Sequence, residues 1–239
     1  MKPTDNTGNK ILEVIENAGR FNHWMYQTIQ PFLQGNILEI GSGIGNISAF
    51  FLTDNATITL SDTDVFYIQK LKNKFYSFQN LNGVLLIDIQ DPCFETTYDL
   101  IKEQYDSIFL LNVLEHVADD TAALKNCRFL LKPGGTLLIL TPAYSLLYSS
   151  LDKALGHYRR YTKSQLNYLL QMNNLVPKKS FYFNALGIVA WLYGKILRLK
   201  TIPATEMGLF NKITPFAKFI DKIMFRKIGL SVLIAGEKK

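Results

Sequence analysis

Cysteine and histidine are scarce in this 239-residue chain, which has two of the first and three of the second. Cys93 and Cys127 lie too far apart for a CxxC redox or metal motif and are too few for a disulfide framework, so both read as small buried hydrophobes. His23, His116 and His157 show no metal-ligand spacing, and no metal is expected. No segment reaches the roughly 18 uninterrupted apolar residues of a membrane span. The opening MKPTDNTGNK lacks the apolar core of a signal peptide, so a cytoplasmic location is expected. Internal repeats, low-complexity tracts and flexible linkers are also missing. With 48% hydrophobic residues the chain has enough apolar material to fill one substantial core.

Acidic charge is missing from one end only. Residues 1–177 carry 14 Lys and Arg against 17 Asp and Glu, whereas 178–239 carry 12 against 3, so the overall +6 divides into −3 and +9. That asymmetry argues against a protein coated by nucleic acid and for a local anionic contact near the C-terminal end.

From Asn36 onward, apolar runs NILEI, ATITL, GVLLI, YDSIFLL and TLLIL alternate with helical stretches. In DVFYIQKLKNKFYSF, Val65, Ile68, Leu71, Phe75 and Phe78 recur at the three- and four-residue spacing of a helix lying on a sheet. Alternating strands and helices require crossovers and a mostly parallel sheet covered on both faces, an α/β fold. Before this core, ILEVIENAG reads as a helix ending at Gly19, and FNHWMYQTIQPFL as another broken near Pro31. After it, Thr162 and Gln165 form a capping box for a helix, and KKSFYFN and LSVLIAG read as two more strands. The expected organisation is a single domain over 1–239, with an N-terminal helical cap (1–34), a ligand-binding core (35–178) and C-terminal strands with a helical insertion (179–239).

The stretch ILEIGSGIGN ends the first core strand, where ligands bind in open α/β sheets. A dinucleotide fingerprint needs G-x-G-x-x-G, but position 46 is Asn46, and the glycines are instead Gly41, Gly43 and Gly45 around Ser42. Glu39 precedes them by two residues, where a pyrophosphate gains nothing from a carboxylate and an ammonium group does. Asp62, followed by Thr63, ends the second strand at the distance suited to ribose hydroxyls. Asp88 and Ile89 end the third and suit an adenine edge and face. An adenosine bearing an amino acid, S-adenosylmethionine, fits all three tips. Taken one at a time, the glycines read equally as a tight turn and the acids as solvated strand ends; KPGG reads as a turn without chemistry.

With LEIGSGIG, Asp62 and VLEHVADDTAALKNCRFLLKPGGTLLILTPA in place, residues Phe21 to Asn174 resemble the class I S-adenosylmethionine-dependent methyltransferases, in particular their small-molecule branch. The resemblance implies a Rossmann-like three-layer sandwich whose seven-stranded sheet is mostly parallel with an antiparallel last strand. It also implies that Asn112 and Val113 line the cofactor pocket. The expected activity is methyl transfer, at oxygen, to a small-molecule or lipid- or glycan-linked acceptor. A nicotinamide-dependent dehydrogenase and a non-catalytic cofactor-binding protein of the same fold are the competing readings. The family's Asn/Asp-Pro-Pro-aromatic motif for amine methylation is replaced by LNVLEHV, which disfavours nucleic acid as acceptor.

Aromatic walls suit a sulfonium, and Trp24, Tyr26 and the run GHYRRYT offer them. His157 and His116 are the candidate bases. Tyr158, Arg159, Arg160 and Tyr161 are the candidate acceptor contacts, with the arginines reading equally as loop-holding partners of Asp152 or Glu115. In the insertion, Thr214, Pro215 and Gly229 read as the cap, first position and stop of an amphipathic basic helix. Residues 185–228 either cover the protein's own core or rest on an anionic membrane surface.

Overall fold

The computed structural model describes residues 12–199, 201 and 204–239; the polar leader and the helix start expected at Ile11 lie outside them. Seven strands form one sheet: β1 (Ile37–Ile40), β2 (Ile58–Asp62), β3 (Leu81–Leu86), β4 (Tyr105–Leu111), β5 (Leu131–Pro142), β6 (Leu175–Phe183) and β7 (Ser231–Lys238). Their order is β3-β2-β1-β4-β5-β7-β6. The first five are parallel, and β7 runs antiparallel to both of its neighbours, as expected. Strand order reverses between β1 and β4, so the crevice beyond their carboxyl ends is where this topology places ligands.

Apolar residues on both strand faces give two cores, because a sheet covered on both sides cannot alternate apolar with polar. Leu38, Ile40, Ile108, Leu110, Leu137 and Ile139 face one way; Ile37, Phe109, Leu138 and Leu140 face the other. Around the sheet lie α1 (Gly19–Ile29), α2 (Ser48–Thr53), α3 (Val65–Phe75), α4 (Phe94–Thr97), α5 (Asp120–Leu130), α6 (Ser150–Leu155), α7 (Lys163–Met172), α8 (Ala185–Ile196) and α9 (Ala204–Ile223). Local caps set several starts. Asp64 accepts from Phe66 N and Asp119 from Ala122 N, and Thr162 with Gln165 closes the expected capping box of α7.

Three expectations about boundaries are corrected. Gly19 begins α1 instead of ending a helix, since the preceding helical turn spans 12–16 and breaks at Asn17–Ala18. KPGG lies within β5 as a bulge: Leu131 pairs with Tyr105 and Thr136 with Ser107, so six residues oppose three, and Gly134 takes φ +76°. Thr214 and Pro215 do not start a helix but sit inside α9. The Thr214 hydroxyl donates to the Phe210 carbonyl, and the helix continues through the proline to Ile223, six residues before Gly229. Its inner stripe of Met207, Phe210, Thr214 and Ala217 is covered, and Asn211 Oδ1 accepts from the first amides of α1. This packing outweighs a proline cost of about 3 kcal/mol.

Pro215→Ala restores the missing N–H at an exposed helical position. It is expected to stabilise the protein by ~1–3 kcal/mol in chemical denaturation; a helix starting at Thr214 would instead show no gain.

Candidate cofactor and acceptor site

Three glycines carry the turn after β1 because it needs left-handed backbone. Gly41 and Gly45 have φ of +74° and +78°, and a Cβ on them would lie 2.5 Å from Val113 Cγ2 and 2.4 Å from the Phe75 ring. Gly43 is roomier; the nearest atom to a Cβ there is Leu12 Cδ1 at 3.4 Å, so the turn at 12–16 roofs the loop. That roof is pinned by Lys74, whose ammonium reaches Glu16 at 2.9 Å and the Ile44 carbonyl at 3.0 Å.

Two acids frame the loop. Glu39, buried at the end of β1, accepts from the Ser48 hydroxyl at the start of α2, and burial pushes its carboxyl up to about 7, against the pull of Ser48 and Ser42. Asp62 accepts from Gly43 N at 2.9 Å and Asp64 N at 3.0 Å, and burial raises its pKa despite these bonds. Ser42 ties the loop to β2, its amide donating to Ser61 O at 2.8 Å. Thr63 follows, half-buried. Asp88 is half-buried and accepts from Gln90 N, in a turn of its own. Across the crevice, Asn112 has φ +53° and donates its amide to Leu140 O, and half-buried Val113 packs on Gly41.

Two expected cofactor contacts are core residues instead. Trp24 is 2% exposed with its ring 4.4 Å from that of Phe183, and Ile89 is buried beneath α5 with its carbonyl held by Asn126. Tyr26 likewise stacks on Phe50 and bonds Asp54. Amphipathic spacing marks these residues as inward-facing, and inward proves to mean the hydrophobic core.

The acceptor candidates gather beyond β4 and β5. Tyr158, Arg159, Arg160 and Tyr161 all line a surface cavity of about 590 Å³ together with Tyr148 and Tyr168. Both arginines are partnered. Arg159 donates to Asp120 at 2.9 Å and to the Ala118 carbonyl, while Arg160, fully buried, donates through Nε to Asp152 at 2.9 Å and through Nη1 to the Ala143 carbonyl. The Arg160 guanidinium lies 4.2 Å from the centre of the Trp191 ring, and its Nη2 has no partner among the described residues.

Behind that wall lies a titratable cluster. His157 Nδ1 is 2.8 Å from Asp152 Oδ1, and its ring meets that of His116 edge to face with centroids 4.6 Å apart. Glu115 is wholly buried. Its Oε2 accepts from Thr141 at 3.0 Å, its Oε1 has no partner among the described residues, and burial pushes its pKa up to about 7. Burial, aided by the neighbouring His157, lowers His116 to about 4, which leaves it neutral and a weak proton acceptor. Burial alone would raise Asp152, but hydrogen bonds from His157 and Arg160 hold it below the usual carboxylate range. Glu115, His116 and His157 each offer a ligand atom within 4.8 Å of the others, close enough for one ion, a juxtaposition the spacing of histidines in sequence did not show. Asp152, expected as a loop-holding partner of the arginines, holds Arg160 and also closes the capping box of Ser149.

The buried carboxyls predict a pH dependence. Glu39 and Glu115 have folded-state pKa values above the ordinary range, so the native state binds their protons more tightly than the unfolded chain does. Stability is therefore expected to fall as pH rises from about 4.5 to about 7, by on the order of 3 kcal/mol per group, and to level off above. Glu39→Gln is expected to shrink this slope in urea titrations at pH 5, 6 and 7, and to weaken cofactor binding.

Residues 38–137 match the family model described as a methyltransferase domain. Among curated proteins, a hybrid PKS-NRPS synthetase from Neonectria sp. (strain DH2) is 35% identical over 121 residues, 48% of this chain and 3% of that protein. The chain thus spans only a few per cent of the length of the curated relatives it matches. A SAM dependent methyltransferase from Archaeoglobus fulgidus superposes with a TM-score of 0.58 at 16% identity, covering 91% of this chain and 94% of the other. Geranyl diphosphate C-methyltransferase from Streptomyces coelicolor A3(2) superposes with a TM-score of 0.62 at 13% identity, covering 91% and 77%. With the glycine loop and strand order already described, residues 38–137 are similar to a methyltransferase domain, and the chain shares the fold of these solved methyltransferases.

Proposed function

We propose that the chain methylates a hydroxyl oxygen on an anionic acceptor, a small molecule or one carried on a lipid or glycan. The observation that carries this reading is the Asp152–His157 pair, set beside Glu115 and directly behind the tyrosine- and arginine-lined cavity. With Nδ1 engaged by Asp152, His157 donates there and keeps Nε2 as the free proton acceptor. An imidazolium formed on His157 is stabilised by two neighbouring carboxyls, Asp152 and ionised Glu115. Tyr148, whose hydroxyl donates to the His157 carbonyl at 2.7 Å, joins the cavity wall to the base.

The crevice suits the donor. A buried carboxylate is costly without a cation, and Glu39 is such a group, fitted to the donor's ammonium. Gly41, Ser42, Gly43 and Gly45 leave the backbone bare, Asp62 with Thr63 suits the ribose, Asp88 the adenine edge, and Asn112 and Val113 the far wall. When bound, the donor supplies a methyl group on a sulfonium, ready for in-line attack. The protein's part is to align the acceptor, exclude water and receive its proton.

A metal-assisted reaction would use the same Glu115, His116 and His157. The buried Arg160 guanidinium, which interacts electrostatically with Glu115, already supplies positive charge there, so the cluster suits proton transfer better than a second cation. The similarity to curated polyketide and hybrid synthetases supports an acceptor from secondary metabolism.

Calorimetry is expected to show binding of S-adenosylhomocysteine and none of NAD. Labelled donor incubated with host extract should yield the acceptor. On that acceptor His157→Ala is expected to lower kcat by about 10²–10⁴-fold while leaving S-adenosylhomocysteine affinity unchanged, and His116→Ala to change kcat by only a few-fold. An unchanged kcat in His157→Ala refutes the base assignment. Activity should rise with pH through about 7 as Glu115 ionises, and Glu115→Gln should abolish that limb.

A further inference from the structure

Helix α9 is apolar on two opposite faces. Its covered stripe, Met207, Phe210, Thr214 and Ala217, seats it on α1. Half a turn away, Leu209, Ile213, Phe216, Phe219 and Ile223 form a second stripe at helical spacing, each between 38% and 62% exposed. The adjoining α8 adds Val189, Tyr193, Ile196 and Leu197, and Phe225 just beyond α9 is 79% exposed. A run of large apolar residues in water on two packed helices marks an interaction surface.

The charges beside it specify the partner. Residues 185–228 hold eight Lys and Arg against two acids, a net +6 equal to that of the whole chain. Of the two acids, Asp221 is buried and accepts from the amides of Asn184 and Ala185, which leaves Glu206. None of the described basic residues in this segment is salt-bridged to an acid among the described residues; Lys218 reaches only the Gln27 amide oxygen. A second copy docked through a two-fold axis would set this positive surface against itself. No helix among the described residues is long and apolar enough to cross a bilayer.

We propose that α8 and α9 dock on an anionic lipid surface, with the outer apolar stripe in the headgroup boundary and Lys212, Lys222 and Lys227 against lipid phosphates. The opposite face of α8 borders the acceptor cavity. Trp191 Nε1 of α8 donates to the Leu147 carbonyl at 2.9 Å and Lys195 to that of Leu146 at 2.5 Å, fixing the turn that carries Ser145 and Tyr148 into the cavity wall. Where the methyl-transfer reading holds, this places an acceptor with a lipid anchor at the cavity mouth; the docking itself does not depend on that reading.

Flotation of the full chain with phosphatidylcholine vesicles, with and without phosphatidylglycerol, tests the proposal without any turnover. The protein is expected to float with the anionic vesicles at about 50 mM salt and to be released at about 500 mM, where the Debye length shrinks severalfold. Phe216→Ser with Phe219→Ser, and separately Lys212→Glu with Lys222→Glu, should each weaken binding at least tenfold. Leu100→Ser, an exposed apolar residue elsewhere, should have no effect. Thermal melts check that the variants fold, which is expected because the altered side chains are already in water. Absence of wild-type flotation with anionic vesicles at low salt overturns the proposal. So does undiminished flotation of both double variants, or a dimer by light scattering that Phe216→Ser with Phe219→Ser dissolves while vesicle binding is absent.

Discussion

The carboxylate of Asp152, fully buried, ties the acceptor side of the molecule together. One oxygen accepts from both His157 Nδ1 and Arg160 Nε, and the other from the Ser149 amide and hydroxyl. Through these bonds it fixes the start of α6 and the tautomer of the imidazole. Arg160 relays it further, to the carbonyl of Ala143 past the end of β5 and to the face of Trp191 on α8. A buried charge is tolerated only when its lone pairs are filled, and here four donors fill them. Loss of that carboxylate would free the ring, the guanidinium and the helix start at once.

The cofactor side rests on a different economy. Glu39 is buried with no opposing cation among the described residues, so burial pushes it toward the neutral form while the serine hydroxyls pull the other way. A site built this way is less stable than it could be when empty and gains when a positive group arrives, the usual bargain between stability and binding in preorganised sites. Glu115 shows the same tension on the acceptor side, where its Oε1 and Arg160 Nη2 both lack hydrogen-bond partners among the described residues.

Much of this architecture was legible from local pattern. Strand alternation, the glycine loop, Asp62 at the tip of β2 and the Thr162–Gln165 box are written within a few residues, where backbone sterics and capping act directly. What escaped depended on distant packing. Trp24 lies on an amphipathic helix, and periodicity says that it points inward without saying whether a crevice or Phe183 receives it. Pro215 signals a helix start by every local rule, yet α9 runs through it because its inner stripe is already seated on α1. The cluster of Glu115, His116 and His157 joins segments some forty residues apart, and no spacing rule connects them.

Strand β7 lies between β5 and β6 although it follows both in the chain. When synthesis has reached residue 230, β6 therefore has nothing to pair against and β5 lacks one neighbour, while β1 to β4 already possess all of theirs. Closure of the sheet waits on a segment separated from β6 by the two basic helices, which makes that half of the molecule late to assemble and exposed to chaperones in the interval.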